Sequence, residues 1–526
     1  MNRIPPDLAR PQTGPVGRPA NGDARPHGRP GSRRGRGPGP WIVLGVIALV
    51  PALALFALYS WSDAKVDVAD PVPPTPTTVV APPLPPDPLT TSMFTYRRLP
   101  STLSRGINLE QFRSDLVPFL GTINDRSCAA VSVDGQQVGS QNGGLAVIPA
   151  SNLKLVVAAV ALEELGADWT FRTTVLAGAA PVDGVIDGDL VLVGGGDPVL
   201  TSSWYPTSNL ERRPVFNETS LDALADAVVA AGVTTVTGAV VGDGTRYDDE
   251  FFAPGWGNGV AGLEAGPYDA LMANDARVLG EDLRADDPNA GAAREFARLL
   301  GDRGVVVTGP ASGGDASALG DDPAEVAAVE SAPLAAILEE MLVNSDNNTA
   351  ELLTKEIGLQ RSSSDVGTRQ AGVDAMVSTL QEWGLDTSSV VIDDGSGLGL
   401  GNRLTCDVLL GVLQRSDVDG PVGAGLPVAG QTGAISDAFV GHPLEGRLRG
   451  KTGTLNNPPF NEDPPAAKAL AGYVPIEGGG AIEYALLLNG PTISDQSEYR
   501  PLWNSLADVL ASYPAGPTPA DLGLRS

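Results

Sequence analysis

The longest apolar run of the chain lies at 41–61, where WIVLGVIALVPALALFALYSW contains no charged residue. A helix of about 20 such residues is long enough to cross the hydrocarbon core of a bilayer. Trp41 at one end and Tyr59 and Trp61 at the other end suit the two membrane interfaces. A cleaved signal peptide has a shorter apolar core, of about 7–15 residues, and a small-residue cleavage site. The pattern therefore favours an uncleaved transmembrane signal-anchor, with a cleaved signal peptide as the alternative.

The folded part of the chain begins near Arg105. The stretch CAAVSVDGQ, from Cys128 to Gln136, has the pattern of a strand that runs into an Asp-Gly turn, and a second strand is expected over 145–149. Helical spacing follows, and the apolar positions that share one helix face are Leu153, Val156, Val157, Val160 and Ala161. Because Gly166 is a suitable stop for this helix, the sequence predicts two strands and then a helix.

The formal net charge of −28 is divided between two very different parts of the chain. Residues 1–40 are rich in Pro and Gly and carry a net charge of +6, which leaves −34 on residues 41–526. A segment of this composition is expected to be disordered, and its arginines place it on the cytoplasmic side of the apolar run. The Pro-rich residues 62–104 are expected to form an extended stalk. The acidic excess argues against a nucleic-acid-binding protein.

Histidine and cysteine are almost absent, which limits the possible chemistry. The two histidines are His27, in the basic segment, and His442, and the two cysteines are Cys128 and Cys406. These counts exclude a zinc finger and a cysteine-rich scaffold, and they leave one candidate base for a Ser-His-Asp hydrolase. No metal and no cofactor is expected. Both cysteines follow the apolar run, so a disulfide is allowed, and two buried free thiols are the equal alternative.

A serine and a lysine stand three residues apart at the start of the predicted helix. In the stretch PASNLKL, Ser151 and Lys154 share one face of the first helical turn. Free backbone N–H groups and the positive end of the helix dipole meet at this point. A lysine that is partly desolvated near another cation can lose its proton and accept the proton of a serine hydroxyl. Taken alone, the pair has a simpler interpretation, a serine that caps the helix and a lysine in solvent.

Two further motifs turn this pair into a candidate catalytic set. A second helical pattern, which starts at Leu342, carries the triplet S-D-N at 345–347, and an expected strand carries the triplet K-T-G at 451–453. The small Gly453 allows a substrate backbone to approach that strand closely. The motifs S-x-x-K, S-D-N and K-T-G, in this order, are a known set for serine acyl transfer.

With these residues the chain resembles the penicillin-binding proteins that act as D-alanyl-D-alanine carboxypeptidases and endopeptidases. The low-molecular-mass class C branch, the PBP4 or DacB-like group of peptidase family S13, fits best, since PASNLKL at 149–155 matches its first motif closely. A long insertion separates Lys154 from Ser345, where simpler relatives have a short helical stretch. Segments such as DLVLVGGGDPVL at 189–200 are also similar to that branch. The resemblance covers residues 105–512.

The resemblance implies an α+β fold. Residues 105–172 and 333–515 are expected to form a transpeptidase/β-lactamase-like catalytic domain, an antiparallel five-stranded sheet with helices on both faces. Residues 173–332 are expected to form a large β-rich insertion domain with a smaller nested subdomain, and residues 516–526 a short tail. One transmembrane helix, at 41–61, precedes these domains. The stretches VIDGDLVLVGG and TTVTGAVVGDG are strand-like with Gly and Asp turns, which agrees with a β-rich insertion.

The resemblance also implies catalytic roles. Ser151 would be the nucleophile and Lys154 its general base, in a reaction that forms an acyl-enzyme and releases the terminal D-alanine. Ser345 would relay a proton to the leaving amine, and Asn347 would bind the substrate amide. Water would then resolve the ester, as in a hydrolase.

The K-T-G-T strand would bind the substrate. Lys451 would keep the local field positive and, with Thr452, bind the terminal carboxylate of the substrate. The backbone N–H groups of Ser151 and Thr454 would form the oxyanion hole, and Gly453 would keep the strand accessible. No metal takes part in this scheme.

Two departures from the family pattern concern substrate recognition. The family's D-G-S-G-L is often followed by Ser-Arg, whereas Leu398 is followed here by Gly399 and Leu400, so an arginine for a side-chain carboxylate is missing. The chain also inserts NNPPFNEDPPAAKA, at 456–469, before L-A-G-Y-V. This Pro-rich loop either reshapes access to the site or is only a longer hairpin tip.

Other residues that suggest chemistry have simpler interpretations. His442 is expected in a surface loop rather than on the rim of the site. The acidic pairs at 248–249 and 393–394 lack histidines and further spaced ligands, so they are expected to be turn and surface acids. The glycines at 194–196 are expected to form a turn, since no phosphate-binding pattern follows them.

The sequence therefore predicts a serine-type D-Ala-D-Ala carboxypeptidase or DD-endopeptidase. Its expected partners are peptidoglycan stem peptides, β-lactams as covalent inhibitors, and the membrane through one helix. The expected localisation is the cell membrane, single-pass, with the catalytic domain extracytoplasmic. A β-lactamase-like hydrolase and a weakly active scaffold for wall synthesis are the alternatives, and the choice between carboxypeptidase and endopeptidase stays open.

Overall fold

The computed structural model describes residues 99–210, 215–257, 260–456 and 466–523. The expected cytoplasmic segment, the transmembrane helix and most of the stalk lie outside the described residues. Within the described ranges, no helix is both long enough and apolar enough to cross a bilayer.

The centre of the structure is a five-stranded sheet in which every neighbouring pair of strands is antiparallel. Its strands, in order across the sheet, are β13 (Arg449–Leu455), β14 (Ala466–Pro475), β15 (Ala481–Gly490), β1 (Cys128–Val133) and β2 (Gln136–Gln141). The helices around it are α1 (Leu99–Leu120), α2 (Leu153–Leu165), α5 (Leu334–Asn344), α6 (Asn347–Arg361), α7 (Arg369–Glu382), α8 (Cys406–Arg415), α9 (Pro421–Ala424) and α10 (Gln496–Ala511). The predicted mixed α+β fold with an antiparallel five-stranded sheet is confirmed.

Apolar residues alternate along the strands and fill two separate cores, one on each face of the sheet. Ala469 belongs to the core that packs under α2 and α8, and the next residue, Leu470, belongs to the core that packs under α1 and α10. A disulfide between Cys128 and Cys406 joins the start of β1 to the start of α8 in the first core. Of the two states that the sequence left open for these cysteines, the structure has the bridged one.

In the described residues of the long insertion, three sheets combine with two α-helices. Its strands are β3 (Arg172–Ala177), β4 (Val185–Ile186), β5 (Leu190–Val193), β6 (Leu200–Thr201), β7 (Thr219–Ser220), β8 (Thr235–Val236), β9 (Val240–Asp243), β10 (Val306–Val307), β11 (Ser312–Gly313) and β12 (Ala324–Glu330). A five-stranded mixed sheet has the order β11-β9-β5-β3-β12, a parallel sheet has the order β10-β8-β4, and β6 pairs with β7. The helices are α3 (Leu221–Ala230) and α4 (Pro288–Asp302). Because β3 and β12 pair antiparallel, the insertion begins and ends side by side.

A further core joins the insertion to the remainder of the fold. Trp256 and Tyr268, from an irregular segment between β9 and α4, pack with Ile148, Ala150 and Leu398. Trp256 meets Tyr268 edge to face, with ring centroids 5.9 Å apart. The insertion is therefore packed directly against the segment that carries the Ser151 motif.

The second strand of the first hairpin was placed wrongly from the sequence. Strand β2 follows the Asp-Gly turn at once, at Gln136–Gln141, whereas Val147 forms only a single bridge with Leu404. Four of the six residues of β2 are polar and three of the six are exposed, because β2 is an edge strand of the sheet. The apolar run at 145–149 was the stronger strand pattern, but it lies outside the sheet.

The Pro-rich loop is shorter than the sequence indicated. Residues 466–469, which were assigned to the inserted loop at 456–469, belong to β14 and continue the antiparallel pairing with β13. In this register Lys468 lies opposite Thr454. The segment 457–465 lies outside the described residues.

Candidate active site

Ser151 lies in a single 3-10 turn, Ala150–Asn152, that leads directly into α2. Ala150 has a φ of 48°, a left-handed conformation that is rare for residues other than glycine. Gly453 and Gly397 allow their segments to pack closely against this turn. A Cβ at Gly453 would lie 3.1 Å from Ser151 N, and a Cβ at Gly397 would lie 2.0 Å from Ala150 O. The small residue of the K-T-G motif is therefore needed for the fit of β13 against the Ser151 turn.

Lys154 is completely buried, and its side-chain nitrogen has three close oxygen neighbours. Its Nζ lies 3.0 Å from Ser151 Oγ, and it donates to Asn347 Oδ1 at 2.7 Å and to the carbonyl oxygen of Ser396 at 2.7 Å. A neutral amine has two N–H groups and one lone pair. Because Asn347 Oδ1 and the Ser396 carbonyl can only accept, they take the two N–H groups and leave the lone pair directed at Ser151 Oγ.

The surroundings of Lys154 make that neutral form accessible. Burial lowers the pKa of Lys154 from 10.5 to about 8, against the charges of Asp346, Glu351 and Asp394, which raise it. A lysine with this pKa is neutral in about one molecule in ten at pH 7, whereas an ordinary surface lysine is almost wholly protonated there. Part of the Lys154 amine is therefore in the neutral form, which can accept a proton, near neutral pH.

Ser345 and Asn347 lie where the chain breaks between α5 and α6, although the sequence pattern indicated one continuous helix. Ser345 has a φ of 61° and ends α5 in a left-handed conformation, and Asp346 then caps α6. The break brings Ser345 Oγ within 2.8 Å of Lys451 Nζ. Asn347 Nδ2 donates to the carbonyl oxygen of Glu264 at 2.8 Å, so the insertion contacts this motif directly.

Five of the eight predicted site residues line one cleft of about 500 Å³, and the other three, Lys154, Lys451 and Gly453, contact these five or the chain beside them. The structure brings together Ser151, Lys154, Ser345, Asn347, Lys451, Thr452, Gly453 and Thr454. Lys451 is fully buried beneath the cleft and also donates to the carbonyl oxygen of Thr452 at 2.8 Å. Positive charge from Lys154 and Lys451 is thus concentrated at the end of the cleft where Ser151 lies.

Lys468 is a cleft residue that sequence reasoning missed. Its Nζ donates to Thr454 Oγ1 at 2.8 Å and lies 4.3 Å from the centroid of the Tyr499 ring. The residue had been assigned to the Pro-rich loop. The apolar run AAKALAGYV was the signal that could have placed it on a strand beside the K-T-G-T motif.

The insertion supplies a second group of missed residues. Glu264, Asp275 and Arg284 line the cleft opposite the motif residues. Each belongs to the irregular segment between β9 and α4, and no motif or periodicity marks that segment as part of a site.

Asp394 was predicted to be a surface acid, and the structure corrects this. The residue is fully buried. Its carboxylate accepts four hydrogen bonds, from the backbone N–H groups of Gly397 at 2.8 Å and Gly399 at 2.6 Å and from the side chains of Asn402 and Trp256 at 2.8 Å each. A buried carboxylate needs such donors, and here they come from a tight turn and from the insertion.

The remaining candidates lie away from the cleft. His442 Nε2 is 3.1 Å from Asp508 Oδ1, and Asp248 pairs with Lys355 at 2.7 Å. Among the residues that the structure describes, no cluster of three or more His, Cys, Asp or Glu side chains is arranged to hold a metal ion.

Fold and site together define a class of enzyme. A serine at the start of a helix, a buried lysine within hydrogen-bonding distance of it, and a second serine paired with a second lysine are the arrangement expected of a serine acyl-transfer enzyme.

Comparison with known families gives the particular member of this class. The family model of the D-Ala-D-Ala carboxypeptidase 3 (S13) family matches residues 124–278 and 268–512. The chain belongs to this family and is a serine-type D-Ala-D-Ala carboxypeptidase, a hydrolase.

Two relatives are similar to the chain over most of their length. The chain is 30% identical to a D-alanyl-D-alanine carboxypeptidase of an Actinomadura species, over 73% of this chain and 82% of the relative. It is also 30% identical to carboxypeptidase DacB of Mycolicibacterium smegmatis, over 85% of this chain and 91% of the relative. Among solved structures, penicillin-binding protein 4 of Haemophilus influenzae has a similar fold, with a TM-score of 0.59 at 19% identity over 74% of this chain and 99% of that one.

Proposed function

We propose that this carboxypeptidase acts through an acyl-enzyme on Ser151, with Lys154 as the general base, and removes the terminal D-alanine from peptidoglycan stem peptides. The observation that carries the proposal is the 3.0 Å distance between Lys154 Nζ and Ser151 Oγ at a lysine whose other two contacts are acceptors. The acylation step follows from that geometry. Neutral Lys154 takes the hydroxyl proton of Ser151 while Oγ bonds to the carbonyl carbon of the penultimate D-alanine.

The leaving amine needs a proton, and Ser345 is placed to supply it. Lys451 donates to Ser345 Oγ, so the hydroxyl hydrogen of Ser345 is left to donate into the cleft. When the carbon–nitrogen bond breaks, the amine of the terminal D-alanine receives that proton. Ser345 is then reprotonated by the proton that Lys154 took from Ser151, which leaves Lys154 neutral again. Water then attacks the Ser151 ester and releases the shortened peptide.

The developing negative charge and the substrate carboxylate fall at the positive end of the cleft. The N–H groups of Ser151 and Thr454 would receive the oxyanion, because β13 is packed against the Ser151 turn. Thr452, with the charge of Lys451 beneath it, would bind the terminal carboxylate, and Lys468 adds a second cation beside Thr454.

The same site would accept two related substrates. A cross-linked stem peptide also has a D-alanyl carbonyl and an adjacent carboxylate, which supports DD-endopeptidase activity. A β-lactam carries a strained amide next to a carboxylate and would acylate Ser151. In support, one solved relative, penicillin-binding protein 4 of Haemophilus influenzae, is described in complex with a β-lactam, with a TM-score of 0.53 over 75% of this chain.

This function can be tested by identifying the products that the purified protein releases from defined substrates. Stem peptides that end in D-Ala-D-Ala are expected to lose one D-alanine, cross-linked dimers are expected to give monomers more slowly, and benzylpenicillin is expected to leave a stable adduct. Fast turnover of benzylpenicillin with no peptide cleavage would favour the β-lactamase-like alternative. No release from either peptide would favour the scaffold alternative.

We also propose that the protein is anchored in the cell membrane by residues 41–61, with residues 105–515 outside the cytoplasm. The uncharged run, the arginines that precede it and the Pro-rich stalk that follows it support this arrangement. The Cys128–Cys406 disulfide suits an oxidising, extracytoplasmic compartment. In the same proposal, residues 173–332 form an insertion domain within a catalytic domain made of 105–172 and 333–515.

Membrane fractionation would test the anchor. The full chain is expected to stay in the membrane pellet after an alkaline carbonate wash, because an intact transmembrane helix is not extracted by high pH. A chain that lacks residues 1–61 is the matched control and is expected in the supernatant. If expression of the full chain gave a soluble product that starts near residue 62, the apolar run would be a cleaved signal peptide instead.

A further inference from the structure

The position of the Ser396 carbonyl oxygen helps to determine the direction of the Lys154 lone pair. It accepts one of the two N–H groups of Lys154, at 2.7 Å, and Asn347 Oδ1 accepts the other. If the Ser396 carbonyl moved away, one N–H group would be free to turn toward Ser151, and the lone pair would no longer be aimed there. Whatever holds Ser396 in place therefore also positions the base.

One holder is Glu351, which lies on α6 and is fully buried. Its two carboxylate oxygens accept the backbone N–H groups of Ser396 at 2.7 Å and of Gly395 at 3.1 Å. The turn is pressed tightly against the helix at this point, since a Cβ on Gly395 would lie 2.1 Å from Thr354 Oγ1. Glu351 therefore fixes the peptide plane immediately before the Ser396 carbonyl.

The second holder is Asp394, which fixes the other side of the same turn. It accepts the N–H groups of Gly397 and Gly399, so the two carboxylates together bind every backbone N–H group of residues 395–399 except that of Leu398. Trp256 Nε1 donates to Asp394 at 2.8 Å. This hydrogen bond links the insertion to the turn that holds the base.

We propose that Glu351 and Asp394 are positioning residues for the acylation reaction, and that Trp256, which belongs to the insertion, helps to keep Asp394 in place. The carboxylates keep the Ser396 carbonyl on Lys154, so that the lysine lone pair stays aimed at Ser151 Oγ. The inference rests on the proposed function, in which Lys154 is the base. It gives the insertion a part in catalysis, because Trp256 belongs to the insertion and donates to Asp394.

The charges near Lys154 give this arrangement a second consequence. The carboxylates that act on Lys154 are Asp346, Glu351 and Asp394, and each of them favours the protonated form of the lysine and raises its pKa. Burial, and then the charge of Asp394, raise the pKa of Glu351 to about 7. Burial, and then the charge of Asp275, raise the pKa of Asp346 to about 6, so both groups titrate close to the working range of the base. Removal of a charge at Glu351 should let Lys154 lose its proton at lower pH.

The first test compares two tryptophans in the full chain. Trp256→Phe removes the N–H donor of Asp394 and keeps an aromatic ring, and the acylation rate by benzylpenicillin is expected to fall about ten-fold, since small displacements of a catalytic group are costly. Trp204→Phe is the matched control, because Trp204 Nε1 donates at 2.8 Å to another buried carboxylate, Glu295, which does not line the cleft. Its acylation rate is expected to stay within about two-fold of the wild type.

The second test measures the pH profile of Glu351→Gln. The midpoint of the rise in acylation rate is expected to move down by about one pH unit, because one negative charge near Lys154 is lost. The rate at the plateau is expected to fall, since the amide can no longer accept both N–H groups of the turn. A residue that acts only through its charge would move the midpoint and leave the plateau rate unchanged, because Lys154 is neutral at the plateau in both proteins.

The outcomes separate the inference from the function on which it rests. Wild-type protein that is not acylated at Ser151 would overturn the proposed function. Normal wild-type acylation with equal rates for the two tryptophan variants, or with an unchanged plateau rate for E351Q, would overturn the positioning role alone. If E351Q fails to fold, as judged by thermal melting, the tryptophan pair decides by itself.

Discussion

Replacement of Ser151 by alanine is expected to lower the rate of D-alanine release by at least about 10⁴-fold and to abolish covalent labelling by a fluorescent penicillin. The reason is that no ester can form without Oγ, so the two-step reaction through an acyl-enzyme is lost. Only substrate binding and stabilisation of charge in the transition state remain. Ser151 lies just before α2, and its Oγ is paired with Lys154, the proposed base, so the variant should fold normally. Release of D-alanine and the intact mass after exposure to penicillin measure the two effects.

A serine outside the site provides the control for this prediction. Ser378 lies on α7, where its Oγ donates to Glu382 at 3.3 Å on an exposed surface. Ser378→Ala should therefore label as fast as the wild type. Persistent covalent labelling of S151A, at any residue of the cleft, would contradict the assignment of the nucleophile.

The local part of this site could be predicted because it depends on neighbouring residues. The apolar spacing from Leu153 placed a helix that the structure has at Leu153–Leu165, ended by Gly166. The spacing of Ser151 and Lys154 then followed from helical geometry. Helical geometry could not predict that Ser151 and Lys154 lie close to residues 345 and 451, because that proximity depends on how the sheet and α6 pack. Only the resemblance to a family indicated it.

The break at Ser345 shows why the pattern of apolar residues misses such a feature. Periodicity reports which face of a helix is buried, and residues 344–349 contain no apolar residue that could show whether one helix passes through them or two helices meet there. A left-handed serine has no distinct sequence signal, and here it is held by the capping of α6 and by the contact with Lys451. The strained residue occurs at the functional site, where such exceptions are concentrated.

The burial of Asp394 depends on a residue far away in the chain. Two adjacent acids in a glycine-rich stretch have the composition of a surface turn. The acid is buried because Trp256, which lies 138 residues earlier, covers it and donates to it. No local pattern contains that information, and the same holds for Glu264, whose carbonyl oxygen orients Asn347.

Replacement of Lys154 by methionine is expected to slow acylation by about 10²–10⁴-fold, the usual contribution of a general base. Methionine has a similar length and no charge, so it suits a fully buried site better than arginine would. Folding should also respond in a defined way. Because the pKa of Lys154 is about 8 in the folded chain and 10.5 for a lysine in solvent, the unfolded chain binds more protons between these values. The stability of the wild type relative to K154M should therefore rise as the pH increases from about 8 to 10.5.

The pH dependence of acylation distinguishes a base from a merely structural lysine. In the wild type the rate should rise about ten-fold per pH unit below pH 7 and level off above a midpoint of about 8, because only the neutral amine accepts the Ser151 proton. K154M should keep a low rate with no midpoint in this range. Lys355→Met is the matched control, since Lys355 is also fully buried but pairs with Asp248, outside the catalytic pair. That variant should lose stability and keep its midpoint near that of the wild type. A K154M profile that retained the wild-type midpoint would show that another group titrates, and Lys154 would not be the base.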